Sequence, residues 1–140
     1  MPNAKKIIGI TIGDPAGIGP EVVVKAIKSK ELRKIFTPLL IGPRDIWNKY
    51  GASKSDLTII DVPIRTNESR IAYGRPTGLC GEIAYKSLET GIKFGISKVI
   101  NALVTAPVSK QSLHLAGYGM KGHTEILSEK CGKKYNAMMM

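Results

Sequence analysis

Three short stretches hold side chains that could do chemistry: Gly-Asp-Pro-Ala-Gly at 13–17, Ser-Lys at 109–110 and Gly-His-Thr-Glu at 122–125. In the last of these, His123 stands beside the hydroxyl of Thr124, immediately ahead of a pattern that predicts a helix. An imidazole next to a hydroxyl and the free N–H groups of a helix start makes a compact site for a phosphate or carboxylate. It equally suits a substrate hydroxyl that needs a proton partner. Thr124 is also a good N-cap and Glu125 suits a first turn, so capping alone accounts for two of the four residues. His123 is what capping leaves over. The other histidine, His114, lies between Leu113 and Leu115 inside a helical pattern and reads as packing.

Lys110 raises a different question. Pro107 ends an extended segment, Ser109 can cap the helix that follows, and Lys110 then falls in its first turn. A cation at the positive end of a helix is unfavourable by roughly 0.3–1 kcal/mol unless an anion is there too. Either an anion binds beside Lys110 or the flexible stem carries the ammonium out into water.

Asp14 belongs to a turn that links an apolar run to a helix. Its glycines at 13, 17 and 19 do not form the dinucleotide fingerprint, and no lysine stands where a phosphate-binding loop of the Walker type requires one. Pro15 removes a backbone N–H that a phosphate nest would use. Two readings stay open. The glycines can serve a tight strand-to-helix corner, or Asp14, just beyond a strand's carboxyl end, can face the place where open α/β sheets take their ligands.

The elements that must position these residues follow from periodicity. Residues 7–12, 37–42 and 57–62 are short apolar runs rich in β-branched side chains, and 99–105 and 135–140 continue the series. Helical patterns lie between them, over 20–27, 43–50, 81–94, 109–116 and 124–131. Pro20 and Glu21 mark the first start, and Gly51 is a C′ glycine for the second. The basic cluster Lys28, Lys30, Arg33 and Lys34 falls at a helix C-terminus. Strands alternating with helices predict a doubly wound, mostly parallel α/β sheet. The stretch 63–78, with Arg65, Arg70 and Arg75 among small polar residues, breaks the rhythm as a long functional or mobile loop. A final apolar run with no helix after it suggests part of a longer protein.

With 43% hydrophobic and 23% charged residues the 140-residue chain is globular in composition. The six residues 7–12 are far too short for a signal or membrane segment, so a cytoplasmic protein is expected. Cys80 and Cys131 form no metal-binding spacing and read as reduced, structural thiols. The net charge of +10 points to an anionic partner. Basic runs never exceed two residues and aromatics are few, so that partner is expected to be a small phosphorylated molecule or dinucleotide, with neither nucleic acid nor membrane involved.

Taken together, GDPAGIGPE, GRPTGLCGEIAY, LVTAPVSKQSLHLAG and GHTEILSE resemble, in order and spacing, the 4-hydroxythreonine-4-phosphate dehydrogenase family of pyridoxine biosynthesis. The resemblance spans essentially the whole chain. It implies an isocitrate/isopropylmalate dehydrogenase-like fold, incomplete here, with 1–140 the N-terminal part of a longer two-lobed homodimeric enzyme. It implies NAD- or NADP-dependent oxidation of 4-phosphohydroxy-L-threonine to a β-keto acid that loses CO₂ to give 3-amino-2-oxopropyl phosphate. The family's His-Thr pair contacts substrate and falls on His123 and Thr124; Lys110 and Asp14 are expected at the same cleft. The family's divalent metal (zinc, magnesium or cobalt) is held by three histidines downstream of this motif, one of them across the dimer interface. Its ligands are therefore not expected within this chain, and 1–140 alone is expected to be inactive. Relatives acting on phosphorylated threonate or erythronate share the motifs, and phosphate acyltransferases are similar in fold. A non-enzymatic anion-binding module is a further alternative.

Overall fold

The computed structural model describes residues 4–64 and 70–132. Four parallel strands form one sheet in the order β3-β2-β1-β4: β1 (Lys6–Thr11), β2 (Phe36–Gly42), β3 (Thr58–Asp61) and β4 (Ala102–Thr105). β3 and β4 fall within the apolar runs and β1 and β2 start one residue ahead of theirs, and the doubly wound α/β class is as expected. The run 135–140 and Arg65 lie outside the described residues.

The helices are α1 (Gly19–Ile27), α2 (Lys30–Ile35), α3 (Arg44–Lys49), α4 (Gly78–Ile96), α5 (Lys110–Leu115) and α6 (His123–Lys130), with a 3-10 turn at Ala52–Ser55. They cover both faces of the sheet. Ile8 and Ile10 of β1, with Ala102 and Val104 opposite them on β4, point toward α1. The alternate residues Thr11 and Leu103 point toward α4, where a Cβ on Gly91 would stand 2.6 Å from Leu103 and 3.1 Å from Thr11. Period-two alternation along a strand buried on both faces produces this division. One core joins α1, α3, β1 and β2 around the fully buried Trp47, Ile12 and Leu40; a second joins Ala84, Leu88 and Ile92 of α4 to Leu113 of α5 and Ile126 of α6.

The basic cluster falls mostly at helix C-termini, as expected: Lys28 is the C-cap of α1, and Ser29, at an extended ψ of 121°, accepts the N–H of Leu32 to open a separate helix α2 whose last turn holds Arg33 and Lys34. Three details differ from the expectations. Helix α4 begins earlier than expected, at Gly78, because the Thr77 hydroxyl oxygen accepts the N–H of Cys80 at 3.1 Å. His114 is exposed, since the face of α5 that meets α4 is set by Ser112 and Leu113. Cys80 is buried, whereas Cys131 is exposed at the end of α6 and supports no core.

Candidate functional site

Strand order fixes where a ligand can lie. The chain leaves β1 toward β2 and β3 on one side, then returns through α4 to β4 on the other side of β1. The connections therefore part between β1 and β4, and a crevice opens outside their carboxyl ends. The loops that leave these two strands, 12–18 and 106–109, are the ones holding Asp14 and Ser109.

The two loops are interlocked. Asp14 N–H donates to the carbonyl of Pro107 at 2.8 Å. Gly13 has φ of +69°, and a Cβ there would stand 2.3 Å from the same carbonyl oxygen, so the corner tolerates only glycine. The loop spends its amides on itself: Ala16 N–H donates to Asp14 Oδ1 at 2.8 Å and Gly17 N–H to the Asp14 carbonyl at 3.1 Å. With Pro15 lacking a donor, the Asp14–Gly17 stretch has no free N–H to cradle a phosphate. It is a structural corner, and the described residues show no pyrophosphate-binding turn that a dinucleotide would fit there.

Asp14 is buried, at 7% exposure. Its Oδ2 accepts the hydroxyl of Ser112 at 2.8 Å, across 98 positions of sequence. Ser112 lies in the first turn of α5, whose N-cap Ser109 accepts the N–H of Ser112 at 3.1 Å. Nothing in residue type or spacing singled out Ser112, because a contact this distant leaves no local pattern.

Beyond the corner, a cleft of about 390 Å³ is lined by Pro107, Val108, Lys110, Gly122, His123, Thr124 and Glu125. Lys110 opens α5 and His123 opens α6, so two helix starts bring the two expected residues to one wall. Asp14 lines an adjoining pocket of about 340 Å³, with Arg75 and Ser109, that shares Pro107 and Val108 with the cleft. The four candidates thus gather at one end of the sheet, with Lys110, His123 and Thr124 in the cleft and Asp14 beside it.

Thr124 is not the N-cap of α6. Gly122 is, and the Glu125 carboxylate reaches back to accept the Gly122 N–H at 2.9 Å, leaving Thr124 inside the first turn. Those backbone bonds hold the Glu125 carboxyl below its ordinary range, and the nearby Lys110 ammonium adds to the effect. His123 is half-buried, and that burial lowers its pKa from 6.5. Its Nε2 is enclosed and has no hydrogen-bond partner. The cleft therefore holds one cation, one carboxylate and, at neutral pH, an uncharged imidazole with an open valence.

Helix α6 is held in place from behind. Ile126 packs on Leu88 and Leu113, Tyr85 and Tyr118 stack at 3.7 Å between centroids, and Lys130 reaches Glu89 of α4 at 2.8 Å. The Lys130 ammonium holds the Glu89 carboxyl below its ordinary range and is itself raised by that bond. Among the described residues no group of three or more His, Cys, Asp or Glu side chains is placed to hold a metal ion, so no step here is routed through one. No described helix is long and apolar enough to cross a membrane.

Known proteins resemble the chain in sequence and in fold. The chain is 31% identical over its full length to a 4-hydroxythreonine-4-phosphate dehydrogenase of Trichlorobacter lovleyi, covering 47% of that protein. It is 30% identical, again over its full length and 47% of the relative, to a D-threonate 4-phosphate dehydrogenase of Cupriavidus necator. Its fold superposes on a crystal structure of a 4-hydroxythreonine-4-phosphate dehydrogenase from Burkholderia phymatum with a TM-score of 0.86 and 28% identity, over 95% of this chain and 46% of that one. The chain spans about half the length of the relatives it matches. The family model described as "Pyridoxal phosphate biosynthetic protein PdxA" matches residues 12–140, most of the chain, and the chain belongs to the PdxA family.

Proposed function

We propose that this chain is the N-terminal, substrate-gripping part of a longer two-lobed dehydrogenase that oxidises a phosphorylated hydroxy acid with NAD or NADP. The observation that carries the reading is the cleft that His123 shares with Lys110 and Thr124, outside the carboxyl ends of β1 and β4. An uncharged imidazole offers a ring nitrogen as acceptor to a substrate hydroxyl, and burial keeps it uncharged at neutral pH. Lys110 supplies the positive charge for a carboxylate or phosphate oxygen. Thr124, one residue into α6, places its hydroxyl against the same ligand.

The substrate is 4-phosphohydroxy-L-threonine. Oxidation at C3, with the hydroxyl proton passing to a base and the hydride to the cofactor, would give a β-keto acid, which would release CO₂ to form 3-amino-2-oxopropyl phosphate. The nicotinamide accepts the hydride when bound, and a divalent metal would polarise the alcohol. Both would be held by the remainder of a homodimeric cytoplasmic enzyme, without a role for nucleic acid or membrane. Phosphorylated threonate is the second reading, because a relative of that name matches over the same span at nearly the same identity. The two acids differ at C2, amino against hydroxyl.

The test is the absorbance of reduced nicotinamide, followed with the gene's complete product, a divalent metal and each phosphorylated acid in turn. The reading requires cofactor reduction with the hydroxythreonine phosphate and its loss on His123→Ala with the melting temperature retained. No reduction with either acid, under any metal, overturns it.

A further inference from the structure

We propose that Asp14 is a positioning residue, whose buried carboxylate reaches the cleft through Ser112 by fixing the first turn of α5, on which Lys110 stands. This rests on reading the Lys110–His123 cleft as the binding site.

A buried carboxylate is costly unless its lone pairs are filled, and those of Asp14 are filled by neutral donors. Oδ1 takes the Ala16 N–H and Oδ2 takes the Ser112 hydroxyl, each at 2.8 Å. The thiol of the buried Cys80 lies against it as well. Each oxygen of the carboxylate is thereby engaged within the fold.

What Asp14 holds is specific. Its own N–H is bonded to Pro107, which precedes α5, and its Oδ2 to Ser112, two residues beyond Lys110 in the first turn. Those two bonds grip the α5 entry from both sides. Within that turn the Ser112 N–H donates to the Ser109 hydroxyl oxygen. Residues 107–112 are thereby fixed to the corner that leaves β1, and Lys110 lies between the two points of attachment. The charge also favours this place, since a carboxylate beside a helix start meets its free N–H groups.

Conservative and tether-breaking variants separate the possibilities in the gene's complete product, with KM and kcat measured for the phosphorylated hydroxythreonine and amide hydrogen exchange followed over residues 110–116. Ser112→Ala removes the tether without touching the cleft. It is expected to raise KM about tenfold, the worth of one hydrogen bond to a charged group, with kcat little changed and exchange in α5 faster. In a Lys110→Ala background the same change is expected to add nothing to KM, because its effect passes through Lys110. Asp14→Asn still accepts from Ala16 and still bonds the Ser112 oxygen, so it is expected to stay within about threefold of the parent in KM, whereas Asp14→Ala behaves like Ser112→Ala.

The proposal is overturned if Ser112→Ala leaves KM and α5 exchange unchanged while Lys110→Ala raises KM. Equal damage by Asp14→Asn and Asp14→Ala, with Ser112→Ala silent, also overturns it and shows direct contact of the carboxylate with ligand. If Lys110→Ala itself is silent, the reading of the cleft fails, and faster α5 exchange in Ser112→Ala shows that the tether exists apart from it.

Discussion

Gly81→Ala and Gly95→Ala place the same substitution in the same helix and are expected to shift stability in opposite directions. Replacing an interior helical glycine by alanine ordinarily gains up to about 1 kcal/mol, by reducing the freedom of the unfolded backbone. At Gly95 a Cβ would meet nothing within 4 Å, so that gain is free to appear. At Gly81 the Cβ would stand 1.9 Å from the Ser112 carbonyl oxygen, 2.4 Å from its carbon and 2.8 Å from the Leu113 nitrogen. All three are backbone atoms and cannot rotate aside. Helix α5 must therefore back away from α4 by about an ångström, which loosens Leu113 against Ala84 and Leu88. Overpacking of this kind costs about 1–3 kcal/mol, more than the propensity gain. At about 2–4 °C per kcal/mol for a chain of this size, Gly81→Ala should melt several degrees lower and Gly95→Ala slightly higher. The displaced helix is the one that opens with Lys110, and misplacing a binding group by an ångström can cost about 10²-fold in turnover. Urea or thermal unfolding, paired with turnover of the complete enzyme, reads both effects. A Gly81→Ala protein as stable as Gly95→Ala would mean that α4 and α5 do not meet backbone to backbone, and the placement of Lys110 argued above would fall with that contact.

Three further outcomes are expected. Because burial lowers the His123 pKa below 6.5, the unfolded chain binds the proton more readily, so stability is lost as pH falls from 6.5 through the folded value; His123→Gln should flatten that stretch of the stability–pH curve, and an unchanged slope would show that the imidazole is not desolvated. A thiol reagent should modify the exposed Cys131 in the native protein and reach Cys80 only on unfolding, since burial both hides that thiol and raises its pKa; rapid modification of both would contradict the packing of α4 on the first corner. The single tryptophan, Trp47, is fully buried between β2 and α1, so native emission should be that of an apolar site and shift red on unfolding, and emission already at the position of the free side chain in water would refute this core.

Local chemistry explains what was legible in the residues alone. The apolar runs at 7–12, 37–42 and 57–62 predict buried strands because a strand covered on both faces needs apolar side chains at successive positions, and β1, β2 and β3 fall within one or two residues of them. Ser109 was recognisable as a cap because capping is decided within three residues, and its bond to the Ser112 N–H is of that kind. His123 was recognisable because it had no structural job in its own segment, and its Nε2 is without a partner. Thr124 was misread as a cap because the choice between it and Gly122 depends on where the Glu125 carboxylate turns, which neighbouring packing settles.

What the sequence determined by itself was the alternation of strands and helices and the residues with chemistry to spare, both fixed by interactions spanning a few positions. The tertiary structure alone decided that Lys110 and His123 share a wall and that Asp14 bonds Ser112. These pairings depend on strand order, which places β4 beside β1 although 90 or so residues separate them. Side-chain periodicity records which face of a strand is buried. It carries no record of which strand lies next to it, and that neighbour is what makes the crevice.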